Sequence, residues 1–271
     1  MQGNFLSWHR YFTWTYEQAL RNECGYRGYQ PYINWAKYAH DIAGSPLFDG
    51  SDLSMSGNGA YAPHPGVGIP SNAAPDFVLK PGNGSGCVTT GPFKDLTVNL
   101  GPVAPSLLNL TTNSQSNGLG YNPRCLRRDL SQDAANRGST EPIIYDLLTK
   151  SQDIHTFQTT MQGDFSADYI GVHTAGHFWV GADPGGDLFT SPGDPFFYLH
   201  HANIDRTWWI WQNLDPERRT YVVADTVTLN NLPPSRNATL EDLMDLGVNA
   251  PAIRLSDAMS TLRGRFCYGY V

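Results

Sequence analysis

His173 and His177 stand four residues apart, and His200 is followed directly by His201. On a helix, residues four apart share a face, so the two imidazoles of the first pair can converge on a single ion. Adjacent helical residues point about 100° apart, so one of His200 and His201 would face such an ion while the other turns aside. A three-imidazole site from His173, His177 and one of the adjacent pair is therefore geometrically easy to build. An all-imidazole set suits copper, zinc or iron. Thr174 follows His173 where a zinc protease would carry its glutamate base, which disfavours zinc hydrolysis. A bare His-x-x-x-His is more often a solvated or hydrogen-bonded pair than a ligand pair. A second histidine pair on a well-started helix weighs against that plainer account here.

The elements that must position these side chains are legible in the pattern. Asp194 suits an N-cap and Pro195 a first helical position, and an aromatic run follows through Trp211, so His200 and His201 are predicted on a helix. Residues 169–178 are a short helix candidate carrying His173 and His177, and residues 181–193 form a turn-rich connector. Phe5, Trp8, Phe12, Tyr16 and Leu20 recur at three- and four-residue steps, which predicts a helix over residues 5–22, ending at Gly25. Phe5-x-x-x-His9 and Phe197-x-x-x-His201 invite comparison as halves of a two-fold site. A further helical zone is expected over residues 140–161, with a break near Ser151. Residues 44–123 are rich in Gly, Pro, Ser and Asn and show no sustained period, with only short strand candidates such as 87–90 and 96–100. So long an irregular stretch calls for a pin.

The chain has 271 residues, 18 Lys plus Arg against 25 Asp plus Glu, and 12% aromatic residues. That is ample apolar surface for a folded core, and a single domain over 1–271 is expected. The acidic balance and the lack of a basic run argue against nucleic acid, and no segment reads as a membrane span. Four cysteines allow three pairings, and sequence does not choose among them. The favoured pairing joins Cys87 with Cys125, which would pin the irregular stretch, and Cys24 with Cys267. Three sequons, at Asn83, Asn109 and Asn237, together with the cysteines, point to secretion and glycosylation. The first residues do not form a leader, so either a leader was removed or the start is a cut.

The strings Phe5-Leu-Ser-Trp-His-Arg-Tyr-Phe12, His173-Thr-Ala-Gly-His177 and Asp194-Pro-Phe-Phe-Tyr-Leu-His-His-Ala-Asn-Ile-Asp-Arg206 resemble the tyrosinase and catechol oxidase family of type-3 copper proteins, and its short secreted fungal members in particular. The likeness extends through Gln30-Pro-Tyr-Ile-Asn-Trp35 to Tyr268-Gly-Tyr270. It implies a mainly α fold, a four-helix bundle core wrapped by long loops with little strand. It also implies two coppers, each held by three histidines. His173, His177 and His201 match the ligands of the second copper, so that set is complete, and His9 matches one ligand of the first. The other two first-copper ligands would fall upstream of Met1, so the chain is expected to be truncated at its N-terminus. His200 matches the neighbour packed beside the site. Asp205 is expected to orient an imidazole or pair with an arginine, with an ion pair to Arg206 on the helix surface as the plainer account. Thr174, Phe178, Leu188 and Phe197 match positions flanking the substrate pocket, although core packing would account for the aromatics equally well. His40, His64 and His155 match no ligand.

The implied activity is oxidation of o-diphenols, and by extension o-aminophenols or monophenols, to o-quinones with O₂. Thr174 stands where strongly monophenol-hydroxylating members carry an asparagine that helps hold a water, which favours o-diphenols. The expected partners are a small phenol and O₂, and the expected assembly is a monomer or weak dimer. Two other readings compete: an inactive fragment binding one copper or none, and a haemocyanin-like oxygen-binding unit, although the chain shows no repeated units.

Overall fold

The computed structural model describes residues 1–107 and 110–271. The chain is mainly helical, with long connecting loops and, among the described residues, four two-stranded antiparallel sheets. The helices are α1 (Phe5–Glu23), α2 (Trp35–Tyr38), α3 (Gln132–Gly138), α4 (Glu141–Lys150), α5 (Ile154–Gln162), α6 (Val172–Phe178), α7 (Phe196–Asn213) and α8 (Pro216–Arg219). The chain divides into two compact units. One comprises Met1–Ile33, Tyr145–Thr160 and Tyr198–Val271, and the other comprises Asn34–Ile144 and Met161–Phe197.

In the first unit, α1 runs antiparallel to α7. Arg10 meets Asp205, His9 stacks on His201, and further along α1 Phe12 and Tyr16 both reach back to Tyr198. The aromatic period that predicts α1 is the period that places these contacts. Trp211 near the end of α7 stacks on Phe157 of α5 and donates its indole N–H to the Ser151 carbonyl at 2.8 Å. Ser151 lies in the break between α4 and α5, so the interruption expected there supplies an acceptor that a continuous helix would have used internally. The C-terminal segment lies along α1. Phe266, buried to 1% exposure, packs edge-on to Tyr11 and Trp14, and the Tyr11 hydroxyl donates to the Pro251 carbonyl.

The second unit is dominated by loops. Its sheets pair β1 (Gly59–Tyr61) with β4 (Ser85–Val88), β2 (Val67–Ile69) with β3 (Phe77–Leu79), and β5 (Thr97–Val98) with β6 (Arg124–Cys125). Val67, Ile69, Phe77 and Leu79 alternate inward to meet Ala134 of α3 and Ala175 of α6 in one core. A Cβ on Gly138 would lie 2.3 Å from that of Ala175, so glycine there permits the close approach of α3 and α6. The fourth sheet, β7 (Leu243–Met244) with β8 (Ile253–Arg254), belongs to the first unit.

The Cys87–Cys125 disulfide forms and closes 38 residues of the irregular stretch. The Cys24–Cys267 pairing does not form, and both residues are exposed with free thiols. Phe266 turns into the core beside α1, while the next side chain, Cys267, is exposed. Cys24 sits just past the end of α1, in the αR conformation at its C-cap.

Candidate metal centre

Two pairs of imidazoles are brought together, each within one unit. In the second unit, His173 and His177 occupy α6 one turn apart, and their Nε2 atoms lie 3.1 Å from each other. Nδ1 of His173 lies 2.6 Å from the Gln162 side-chain oxygen. A carbonyl oxygen only accepts, so Nδ1 carries the proton and Nε2 presents its lone pair toward His177. The ring of His177 is flanked by Phe197, with centroids 5.9 Å apart.

In the first unit, His9 lies flat against His201, with centroids 4.2 Å apart and planes 12° from parallel. Nδ1 of His9 donates to the Phe5 carbonyl one turn back, at 2.7 Å, which again leaves Nε2 as the ligating nitrogen. Desolvation pushes the His9 imidazole down to about 4 against the opposing pull of that carbonyl, so the ring is neutral, the state in which it can ligate. His200 and His201 are fully buried on α7, with rings 4.9 Å apart and steeply inclined, as adjacent helical positions require.

The elements explain these placements. The Asp194 carboxylate accepts the Phe196 N–H at 2.9 Å and so caps the start of α7 as its sequence predicts. The same carboxylate takes both ends of the buried Arg128 guanidinium, at 2.8 and 2.7 Å. Asp205 is 3% exposed and pairs with Arg10 at 2.5 Å, so it pairs with an arginine of α1 and not with its neighbour Arg206. Arg206 instead lies over the Tyr32 ring. Asp205 also accepts the hydroxyls of Tyr268, at 2.6 Å, and Tyr270. Burial, and next the Asp205 charge, hold both phenols well above their ordinary range. The Arg10 guanidinium is completed by the Ala258 and Met259 carbonyls and by Gln212.

The pocket positions differ in exposure. Phe197 is buried, Leu188 is 67% exposed on the connector, and Phe178 is half-buried against the second unit's core. The Thr174 hydroxyl donates to the Gln162 carbonyl at 2.7 Å. His64 and His155 lie outside both imidazole pairs and bond to Asp129 and Asp225. Asn83 and Asn237 are exposed, and Asn109 lies outside the described residues. Gln162, Arg10, Tyr268 and Tyr270 have roles that sequence reasoning did not assign. Arg10 and the two tyrosines fell within strings of family likeness, but their convergence on Asp205 spans the length of the chain. Gln162 carried no signal of its own.

A family model for the common central domain of tyrosinase matches residues 1–214. The chain belongs to the tyrosinase family. It is 44% identical to "Tyrosinase-like protein orsC" of Emericella nidulans over 84% of this chain, a match spanning 63% of that protein's length. It is 38% identical to "Oxidase hkm6" of Aspergillus hancockii over the whole chain and 94% of that protein, and 36% identical to "Tyrosinase P" of Aspergillus terreus over 99% and 75%. A solved polyphenol oxidase from Thermothelomyces thermophila superposes with a TM-score of 0.93 at 45% identity, covering all of this chain and 73% of that one. For this tyrosinase-family chain, membership implies copper, phenolic substrates and O₂. The donor set fits that metal, since it is made of imidazoles, and those of His9 and His173 have the second nitrogen engaged by an acceptor. Among the described residues, no helix is long and apolar enough to cross a membrane.

Proposed function

We propose that residues 1–271 act as one copper domain in which His173, His177 and His201 hold one copper and His9 contributes to a second. The convergence of the His173 and His177 Nε2 atoms carries this reading. Two further observations support it. Phe197, beside His177, precedes His201 by one turn of the same helix, and His9 stacks on His201.

The protein is then an oxidase in which two o-diphenols reduce one O₂ to two waters and leave as o-quinones. Copper, when bound, supplies the one-electron couple that passes these electrons. The chain's own part is to keep the imidazoles aimed, with Phe197 packed beside His177 and the neutral His9 ring ready to ligate. Leu188, exposed on the connector, adds apolar surface at the pocket mouth. Thr174 stands where an asparagine would help to hold and orient the water used in monophenol hydroxylation, and its hydroxyl is turned instead to the Gln162 carbonyl. We therefore assign a preference for o-diphenols over monophenols. Secretion and glycosylation at exposed Asn83 and Asn237 complete the proposal.

Copper titration of this chain tests the metal assignment. The expected result is tight copper binding lost in His177→Ala, and a chain that takes up no copper would overturn it. Oxygen uptake by the native protein tests the substrate class. Catechol is expected to be consumed far faster than tyrosine, and equal rates would overturn the preference.

A further inference from the structure

The hydrogen bond to His173 comes from an unexpected place. Gln162 is the last residue of α5, and His173 lies in the first turn of α6. The intervening loop is closed on itself. Asp164 and Tyr169 exchange two backbone hydrogen bonds, at 2.8 and 3.0 Å, and the Asp164 side chain caps the turn between them.

At the base of the loop, Gly163 and Gly171 both take positive φ, +104° and +69°. They lie so close that a Cβ on Gly171 would sit 2.4 Å from the Gly163 nitrogen and 2.5 Å from the Met161 carbonyl oxygen. Only glycine tolerates that crossing. The crossing sets Gln162 against the start of α6, where it bonds twice: its side-chain oxygen to His173 Nδ1, and its backbone carbonyl to the Thr174 hydroxyl.

We propose that Gln162 is the positioning residue for His173, fixing the tautomer and aim with which that imidazole ligates copper. This rests on the copper reading above and adds the residue that prepares one ligand. A neutral imidazole bears one proton. Without an acceptor at Nδ1, that proton can move to Nε2 and occupy the ligating lone pair. The ring would also lose the contact that resists its rotation.

The test uses the full chain and copper(I) in competition with bicinchoninate. Gln162→Met keeps the volume and removes the acceptor, and its copper affinity is expected to fall ten- to a hundredfold. Gln162→Glu restores an acceptor and is expected to return the affinity to the wild-type range. Melting of the metal-free proteins separates this from a structural effect: a Gln162→Met protein that melts lower but binds copper like wild type overturns the proposal. A wild-type chain that binds no copper overturns the copper reading and this inference with it. If Gln162→Met does not fold, long-range ¹H–¹⁵N spectra of the wild-type imidazoles decide. His173 protonated at Nδ1 supports the proposal, and His173 protonated at Nε2 alone overturns it.

Discussion

Both units bury aspartates, but they use them differently. In the first unit, Asp205 is a hub between elements that already have their shape: it joins α7 to Arg10 of α1 and to the C-terminal tyrosines. In the second unit, buried aspartates give shape to chain that has no regular structure. Asp187 accepts four backbone N–H groups, from Val103, Ala104, Phe189 and Thr190, at 2.7 to 3.1 Å. Asp129 accepts the N–H groups of Gly82 and Gly84, together with His64. Helical periodicity aligns the first unit's contacts, whereas carboxylates holding loop backbone shape much of the second. An unpartnered buried charge or N–H is expensive, so both schemes hold only while every partner is present.

The largest effect is expected at the hub. Asp205→Ala strands Arg10, which has no exposed surface, and should cost about 3–5 kcal/mol, enough to lower the soluble yield. Denaturant unfolding checks it. A loss under 1 kcal/mol would show that the C-terminal segment relaxes to hydrate Arg10, and the contrast between the units would weaken.

Next comes the covalent pin. Replacing both Cys87 and Cys125 by serine releases a loop of 38 residues, and chain entropy sets the loss at up to about 4 kcal/mol. If loops in the second unit depend on cross-links as the first unit's helices do not, limited proteolysis of the variant should cut within residues 88–124 before it reaches α1. Simultaneous cleavage of both regions would break the comparison.

Asp187→Asn ranks third. The amide keeps one accepting oxygen and turns an NH₂ toward N–H groups that need an acceptor, so about 2–3 kcal/mol should be lost. The damage should stay local, with faster amide exchange at Val103, Ala104, Phe189 and Thr190. Exchange that speeds up throughout the chain would mean Asp187 is no local staple.

The same contrast explains what the sequence disclosed. Helix α1, the capped start of α7 and the break at Ser151 were readable, because each is written in residues close together in the chain. Helix α3 was not, since its buried face is Ala134, Ala135 and Gly138, too small to make an apolar stripe. The imidazole pair on α6 was visible from spacing alone, but Gln162 was not, because its meeting with His173 depends on the glycine crossing. Asp187 and Asp129 were equally silent, since two of the N–H partners of Asp187 and both of those of Asp129 lie 45 to 84 residues away. The Cys24–Cys267 pairing failed for a related reason. A count of cysteines says nothing of which way each side chain faces.

The smallest prediction concerns an aspartate as well supplied with donors but open to water. Asp242 accepts both ends of Arg236, at 2.9 and 2.6 Å, together with the Thr239 N–H and hydroxyl. The Arg236 hydrogen bonds, ahead of the other contributions, hold its carboxyl down at about 2. Because the folded value lies below the unfolded one near 3.9, the contribution to stability is present above about pH 4 and is lost as pH falls toward 2. Arg236 keeps most of its surface in water, so screening should cap the effect below about 1 kcal/mol. Asp242→Asn and wild type should therefore differ slightly in denaturant midpoint at pH 7 and coincide at pH 2. A gap that survives at pH 2 would assign the stabilisation to packing and not to charge. A gap at pH 7 as large as that of Asp187→Asn would show that the number of donors, and not burial, decides what these aspartates are worth.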